Sequence, residues 1–216
     1  MSSPRPSRAR PVPERRQPAR ELVLATHNPH KVAEFGAIVA ATRPDLVLIG
    51  YDGPEPVEDG VSFAENALIK ARAAAAHAGR TAFADDSGIC VDVLGGSPGI
   101  FSAYWAGHAK DPVANLHLLL DQISDIADPH RGAHFVSVIA MVTPGGSEHV
   151  VEGVWPGRIA PAARGAGGFG YDPIFIPDGQ DPAAERTVGE WTDAEKSVVS
   201  HRARAFRELA PLLAGL

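Results

Sequence analysis

The stretch LVLATHNPHK, residues 22–31, decides the fold class of this chain. Its opening apolar run predicts a short buried strand, and Asn28-Pro29 marks a turn or a helix start. The following segment, residues 30–41, favours a helix. A strand that leads straight into a helix is the unit from which α/β proteins are built.

The same alternation continues along the chain. Ser62 and Glu65 form a capping-box pattern that opens an alanine-rich helix, and Gly79 ends that helix. Pro144-Gly145-Gly146 predicts the turn of a hairpin. Further strands are predicted at residues 46–51, 81–84, 134–142, 149–159 and 171–176, and further helices at residues 112–126 and 192–213. We therefore expect an α/β protein with a mixed, twisted sheet and flanking helices.

The composition is that of an ordinary globular protein, with 216 residues, 44% hydrophobic and 21% charged. Its single cysteine, Cys90, excludes an internal disulfide framework and a cysteine-cluster zinc site, and it favours a reducing compartment such as the cytoplasm. No apolar run reaches the roughly 18–20 residues that span a bilayer, so no membrane partner is expected.

Charge is distributed unevenly. Residues 1–20 hold five prolines and six arginines against one acidic residue, Glu14, whereas the whole chain carries a formal net charge of −6. Residues 1–20 are predicted to be a disordered extension, with a nucleic-acid arm as the alternative, ahead of one domain at residues 21–216. The acidic remainder argues against broad nucleic-acid binding. It fits a protein that holds divalent metal, and equally a solvated acidic surface.

The pattern Thr26-x-Asn28-x-x-Lys31 follows the first predicted strand directly. Free backbone N–H groups and the positive end of the helix dipole suit a phosphate at such a turn, and Lys31 adds a mobile cation. The alternative is a plain helix cap with a surface lysine. The glycines and the Lys-Ser/Thr pair of a Walker A loop are absent.

Adjacent carboxylates occur in Asp85-Asp86-Ser87-Gly88, at the predicted end of an apolar strand. Neighbours in a strand point to opposite sides, so only one aspartate need face a given cleft. Magnesium is a usual reason to tolerate paired carboxylates, whereas an Asx-type turn is the structural alternative. Glu58 is a second candidate ligand, although alone it fits a solvated loop.

Two later segments carry further candidates. Residues 165–170 match G-x-G-x-x-G formally, but the extended residues 171–177 follow instead of a helix, which excludes a dinucleotide fingerprint. A loop that brings backbone close to a ligand, with Phe169 or Tyr171 near a base, is the preferred interpretation, and an ordinary turn is the alternative.

The closing helix carries Lys196, His201 and Arg202. His201 also fits a core histidine, because it lies on an apolar stripe with Val198, Ala205, Leu209 and Leu212. Lys196 and His201 would be about 140° apart around one helix. Both can meet one ligand only if the helix begins after Lys196 or if they line different walls.

Taken together, six segments of the sequence resemble the inosine-triphosphate pyrophosphatase family and occur in the family's order over residues 22–210. They are residues 26–31, 63–67, 84–88, 95–99, 167–173 and 195–202. The resemblance implies an elongated α/β fold with its site in a cleft between two lobes, and a homodimer. One position departs from the family, which usually has a basic residue where Tyr104 stands.

By position, the resemblance also implies roles for individual residues. Asp86 would be the general base and a Mg²⁺ ligand, and Glu58 would also serve the metal. Lys31 would bind phosphate. The substrate-binding set would be Thr26, His27, Asn28, Pro29, His30, Lys31, Ser87, Phe169, Gly170, Tyr171, Asp172, Lys196, His201 and Arg202.

The activity implied is hydrolysis of deaminated purine nucleoside triphosphates to the monophosphate and pyrophosphate, with Mg²⁺ as cofactor. Two alternatives stay open at this point. One is a pyrophosphatase with another nucleotide preference. The other is a nucleotide-binding protein with impaired catalysis, for which Tyr104 is the hint.

Overall fold

In the computed structural model, residues 20–215 are described. The extension predicted for residues 1–20 lies outside this range except for Arg20, which begins the first strand. The strands are β1 (Arg20–Leu24), β2 (Leu46–Gly50), β3 (Ala82–Val91), β4 (Gly132–Val142), β5 (Glu148–Ile159) and β6 (Phe175–Pro177). The helices are α1 (Pro29–Thr42), α2 (Phe63–Ala78), α3 (Pro112–Gln122), α4 (Asp193–Val199) and α5 (His201–Leu209).

The six strands form one sheet in the order β2-β1-β3-β4-β5-β6. Strand β1 is parallel to β2 and β3, and all other neighbours are antiparallel. The predicted mixed sheet and the β4–β5 hairpin are therefore confirmed. Strand β1 pairs with only Ala82 and Phe83 of β3. Beyond Phe83, no named strand within residues 20–215 pairs with this edge of β3, which meets only an isolated bridge between Cys90 and Pro98, and the site lies in that gap.

Helices cover both faces of the sheet. On one face, Phe35 of α1 and Phe206 of α5 pack against Phe83 of β3. On the other face, the alanines of α2 pack against β1, β3 and β4. A third cluster surrounds Trp155 of β5 and includes Leu119 of α3. The small alanine side chains let α2 approach the sheet closely, which brings its polar residues within reach of β3.

The predicted helix caps are present with one difference. Gly79 ends α2 in a left-handed conformation with φ 60°, and the Ser62 hydroxyl accepts from the backbone N–H of Glu65 at 3.2 Å. The predicted reciprocal bond of the capping box is wrong, because the Glu65 carboxylate accepts from the N–H of Val61 at 2.7 Å. Because Val61 precedes the N-cap Ser62, this hydrogen bond connects the preceding loop to α2.

Strand β3 runs through residues 85–88, so the prediction that the paired aspartates end a strand is wrong. The Asx-turn alternative also fails, since these residues are extended and pair with β4. The strand predicted at residues 171–176 is a 3₁₀ helix at Asp172–Ile174, and only Phe175–Pro177 is extended. Gly170, with φ 62°, and Pro173 favour that turn over a strand.

The single closing helix predicted at residues 192–213 is also wrong. It is divided at Ser200, whose backbone is extended and whose hydroxyl accepts from the N–H of Ala203 to cap α5. Val198, assigned to an apolar stripe with His201, is therefore 64% exposed. Helix α3 ends at Gln122, four residues before the predicted end. Within residues 20–215, no helix is long and apolar enough to cross a lipid bilayer.

Candidate active site

A cleft of about 730 Å³ opens beside the unpaired edge of β3. Each of the sixteen residues predicted for the site lines it. They are Thr26, His27, Asn28, Pro29, His30, Lys31, Glu58, Asp86, Ser87, Phe169, Gly170, Tyr171, Asp172, Lys196, His201 and Arg202. The structure thus brings the predicted residues together, from segments as far apart as β1 and α5.

Asp86 lines the cleft beside Lys70 of α2. The Lys70 ammonium donates to a carboxylate oxygen of Asp86 and to one of Glu58, each at 2.7 Å. Burial raises the pKa of Asp86 above its usual value, against the pull of Lys70. Burial also opposes ionisation of Glu58, yet Lys70 lowers its pKa. One cation thus contacts two carboxylates whose pKa values are shifted in opposite directions.

Asp85 has a different set of partners. Its fully buried carboxylate accepts from Ser137 at 2.6 Å and contacts the ammonium of Lys31 at 2.9 Å. It also accepts from Arg202 at 3.3 Å. Burial disfavours this charge, but Lys31 and Arg202 outweigh it and hold the pKa of Asp85 well below its usual range. Asp85 therefore fixes the two cations that border the cleft.

The turn after β1 places Lys31. The Asn28 side chain accepts from the backbone N–H of His30 at 2.9 Å and of Lys31 at 3.4 Å, so it caps α1. The Thr26 hydroxyl accepts from the N–H of Asn28 at 3.1 Å. The Lys31 ammonium also donates to the backbone carbonyl of Asp85 at 3.0 Å. Burial lowers the pKa of Lys31, with Asp85 opposing the shift.

Lys196 and Arg202 are held by a second pair of carboxylates. Lys196 donates to Asp172 at 2.7 Å and to Glu34 of α1, and Arg202 also donates to Glu34. Despite its burial, Glu34 has its pKa lowered to about 2 by Arg202 and Lys196. Burial raises the pKa of Asp172 against the effect of Lys196. The break at Ser200 lets both cations face this network.

Ser87 joins the two ion-pair systems. Its hydroxyl accepts from Arg202 at 2.8 Å and donates to Asp85 at 2.9 Å. Gly88 follows, where a side chain would collide with the carbonyl oxygen of Gly99 in the 3₁₀ helix Gly99–Tyr104. Glycine at this point allows the 3₁₀ helix to close one side of the cleft.

His201 is only 2% exposed at the start of α5, yet it borders the cleft. Its ring stacks on Phe135 with centroids 4.8 Å apart, and Trp155 lies beyond. Its Nδ1 has no hydrogen-bond partner among residues 20–215. Burial, followed by Arg202 and Lys196, lowers the pKa of His201 well below 6.5. A neutral imidazole with an unsatisfied buried nitrogen is suited to a ligand group.

The glycine-rich loop presents Phe169 to the cleft. Gly168 and Gly170 on either side have φ 74° and 62°, which glycine adopts without strain. The Phe169 ring stacks on His30 with centroids 4.4 Å apart, and its N–H donates to Asp172 at 2.6 Å. The Tyr171 hydroxyl donates to the carbonyl of Ser102 at 2.9 Å. The loop is thus an aromatic wall anchored by two hydrogen bonds.

Two other walls contain stacked rings. His27 stacks on Tyr51 with centroids 5.5 Å apart, and Tyr104 stacks on His108 with centroids 5.3 Å apart. All four rings line the cleft. Tyr104, where the family usually has a basic residue, is half-buried here.

The sequence did not single out two residues that hold the site together, Lys70 and Glu34. Lys70 follows Asn66 by four residues in α2, a spacing that puts both on one helix face, but this local signal does not reveal the partners of Lys70. Glu34 gave no local signal, because its partner Lys196 lies 162 positions away.

Comparisons with known proteins show the family and the fold of this chain. The Ham1 family model matches residues 22–212. A protein of Leifsonia xyli subsp. xyli named dITP/XTP pyrophosphatase is 59% identical over 195 residues, which cover 90% of this chain and 96% of that protein. One of Streptomyces coelicolor with the same name is 53% identical over 196 residues, with 89% and 96% covered. The solved structure of the Staphylococcus aureus Ham1 protein has a TM-score of 0.78 at 37% identity and covers 91% of this chain and 99% of that chain.

Proposed function

The chain belongs to the Ham1 family, as the resemblance predicted, and from this membership we propose that it hydrolyses deaminated purine nucleoside triphosphates to the monophosphate and pyrophosphate. One observation carries the proposal. A single cleft combines the carboxylate of Asp86 with paired cations and with the unsatisfied imidazole of His201. The carboxylate and the cations suit a metal-bound triphosphate, and the imidazole suits a polar edge of the base.

The carboxylates of Glu58 and Asp86 fit a divalent cation. They already share one ammonium, that of Lys70, at 2.7 Å each. Two carboxylates plus substrate phosphates form a ligand set that Mg²⁺ prefers. Within residues 20–215, no cluster of three or more His, Cys, Asp or Glu side chains could hold a metal ion, which accords with a site that the substrate completes. When bound, Mg²⁺ would neutralise triphosphate charge and polarise the phosphoryl group.

The protein's own residues would perform the proton transfer. Asp86 accepts a proton from the attacking water, which its carboxylate faces from the cleft. Lys70 orients that carboxylate. Lys31 contributes positive charge from the start of α1, where the helix dipole also favours an anion. Water attacks the phosphorus nearest the nucleoside, and pyrophosphate leaves from the opposite side.

Selectivity depends on position 6 of the purine. Hypoxanthine and xanthine carry an acceptor oxygen there, whereas adenine carries a donor amine. His201 would be a donor in the neutral tautomer that carries its proton on Nδ1, and the guanidinium of Arg202, the next residue, is a donor that also lines the cleft. They pair with the oxygen and are left unpaired by adenine, which is the arrangement that discriminates most strongly.

The decisive experiment measures pyrophosphate release from xanthosine, inosine, guanosine and adenosine triphosphates, with and without Mg²⁺. We expect kcat/KM for the deaminated purines to exceed that for adenosine triphosphate by on the order of 10² or more. Release of orthophosphate, or equal rates on all four purines, would contradict the proposal. Binding without turnover would favour a protein with impaired catalysis.

We further propose that the enzyme acts as a homodimer in the cytoplasm, without a nucleic-acid or membrane partner. The family resemblance supports the dimer, and the single cysteine supports a reducing compartment. Light scattering in solution tests the dimer, and a monomeric mass would contradict it.

A further inference from the structure

Five lysine and arginine side chains line the cleft: Lys31, Lys70, Lys110, Lys196 and Arg202. Four of them are ion-paired with the protein's own carboxylates, at distances such as 2.9 Å for Lys31 and Asp85. Lys110 differs. It is exposed, and its ammonium has no ion pair or side-chain hydrogen bond with any residue between 20 and 215. Within the described part of the chain, its ammonium is thus not held by a carboxylate.

The backbone at Lys110 is unusual as well. With φ 54°, Lys110 is the one non-glycine residue with a positive φ in the described part of the chain. That conformation is unfavourable for a residue with a side chain and tends to occur where a ligand is held. Its N–H donates to the carbonyl of Gly107 at 3.1 Å, and the N–H of Gly107 donates to Tyr104 at 2.8 Å. Successive turns therefore hold Lys110 in place.

The segment around Lys110 is anchored to α3 on both sides. The buried Asn115 accepts from the N–H of Ala106 at 2.6 Å and donates to the carbonyl of Ala103 at 3.0 Å. Asp111, the next residue along, caps α3 by accepting from the N–H of Val113 at 2.9 Å. Its carboxylate is thereby occupied at the helix terminus. The lysine thus stands on a pre-formed wall of the cleft.

Charge balance indicates what this wall binds. A nucleoside triphosphate carries nearly four negative charges. The protein's own carboxylates already partly neutralise the four paired cations of the cleft. A lysine ammonium is a compact point charge that suits phosphate. The segment that carries Lys110 comes soon after the 3₁₀ helix Gly99–Tyr104 in the sequence. That helix packs on Gly88, which is two residues after Asp86. We propose that Lys110 binds the phosphoryl groups that leave as pyrophosphate, a role that rests on the proposed function.

Binding of inorganic pyrophosphate and of inosine monophosphate, each measured by calorimetry in the presence of Mg²⁺, separates the leaving group from the nucleoside part. We expect Lys110→Gln to weaken pyrophosphate binding about three- to fivefold, the upper part of the range for one exposed charge pair. Binding of the monophosphate should stay unchanged. The pyrophosphate effect should shrink as salt is raised.

Lys110→Arg keeps the charge and should stay within about twofold of the wild type. The matched control is Arg80→Gln, which removes one exposed positive charge outside the cleft and leaves both affinities unchanged. Equal weakening of both ligands, no weakening beyond the control, or failure of Lys110→Arg to retain binding would each overturn the assignment. Turnover by the wild-type enzyme tests the proposed function separately.

Discussion

The carboxylates of Asp85 and Asp86, neighbours in β3, point to opposite faces of the sheet and pair with different lysines. Asp85 contacts Lys31 of α1 at 2.9 Å, and Asp86 contacts Lys70 of α2 at 2.7 Å. Alternation along a strand produces this division. One aspartate is therefore a buried anchor, and the other is available to the cleft.

Replacing Asp86 should remove catalysis without unfolding the protein. Asp86→Asn keeps the shape of the side chain but cannot accept the proton of water, so kcat should fall by at least roughly 10²-fold. The melting temperature should change little, because asparagine still accepts a hydrogen bond from Lys70. Steady-state kinetics and thermal unfolding of the same variant check both parts.

Asp85→Asn is the matched control, and it should lower stability more than it lowers kcat. This substitution leaves the positive charges of Lys31 and Arg202 without the buried negative charge that they contact, which costs about 3–5 kcal/mol of the free energy of unfolding. Urea unfolding measures this loss. If Asp85→Asn were as stable as the wild type but as inactive as Asp86→Asn, the assignment of the base would be wrong.

Glu34 should make stability depend on pH under acid conditions. Its pKa is lowered from 4.5 to about 2, so its contribution is fully present above pH 4.5 and is lost as pH falls toward 2. The difference in free energy of unfolding between wild type and Glu34→Gln should therefore be largest near neutral pH, on the order of 3 kcal/mol.

That difference should narrow below pH 4.5, as urea unfolding at several pH values will measure. Glu208→Gln, which replaces an exposed residue of α5, is the control. A difference between wild type and Glu34→Gln that stays constant from pH 7 to pH 3 would contradict the ion-pair account.

Gly153 sets how closely α5 approaches the sheet. A methyl group there would collide with the backbone of His201 and Ala205. Gly153→Ala should therefore destabilise the protein by about 1–3 kcal/mol and displace His201 and Arg202. At Gly36, inside α1, a methyl group would have no atom within 4 Å. Gly36→Ala should stabilise by about 0.5–1 kcal/mol, because alanine favours helix. Thermal unfolding should show a lowered melting temperature for Gly153→Ala and a raised one for Gly36→Ala.

Local signals account for what the sequence predicts correctly about the fold. Apolar runs, Ser62 and Gly79 identify the order of strands and helices, since each acts on its own neighbours. The extended run through Asp85 and Asp86 is not local. Aspartate is unfavourable inside a strand, and the compensation comes from Lys31, Lys70 and Arg202, which lie elsewhere in the sequence.

In the site, too, local signals predict some features and contacts between distant residues decide the others. Motif segments predict which residues line the cleft, but the break at Ser200 decides how Lys196 and His201 reach it together. Nothing in residues 192–213 before Pro211 signals a helix break, as Ser200 is compatible with a helix interior. Packing of α5 against Gly153 and the Glu34 ion pairs favour the broken form.

The role of His201 is the last prediction, and its surroundings allow a clean variant. His201→Phe preserves the stack on Phe135 and Trp155 while removing the unsatisfied Nδ1. If the imidazole reads the 6-oxo group, kcat/KM for inosine triphosphate should fall about ten- to a hundredfold, the cost of one hydrogen bond of roughly 1–3 kcal/mol. Adenosine triphosphate never makes this contact, so its rate should barely move.

The ratio of inosine to adenosine triphosphate kcat/KM therefore separates recognition from packing. His201→Ala provides the comparison, since it also creates a cavity beside Trp155 and should lower stability and weaken all substrates. The lowered pKa of His201 means that the folded protein keeps the imidazole neutral near pH 7, so the wild-type ratio should stay flat through pH 6–8. If His201→Phe kept the wild-type ratio, the histidine would be a core residue. Arg202 would then have to discriminate between the two bases. Burial opposes its charge, but Glu34 and Asp85 outweigh burial and raise the pKa of Arg202. The guanidinium therefore remains a donor throughout pH 6–8.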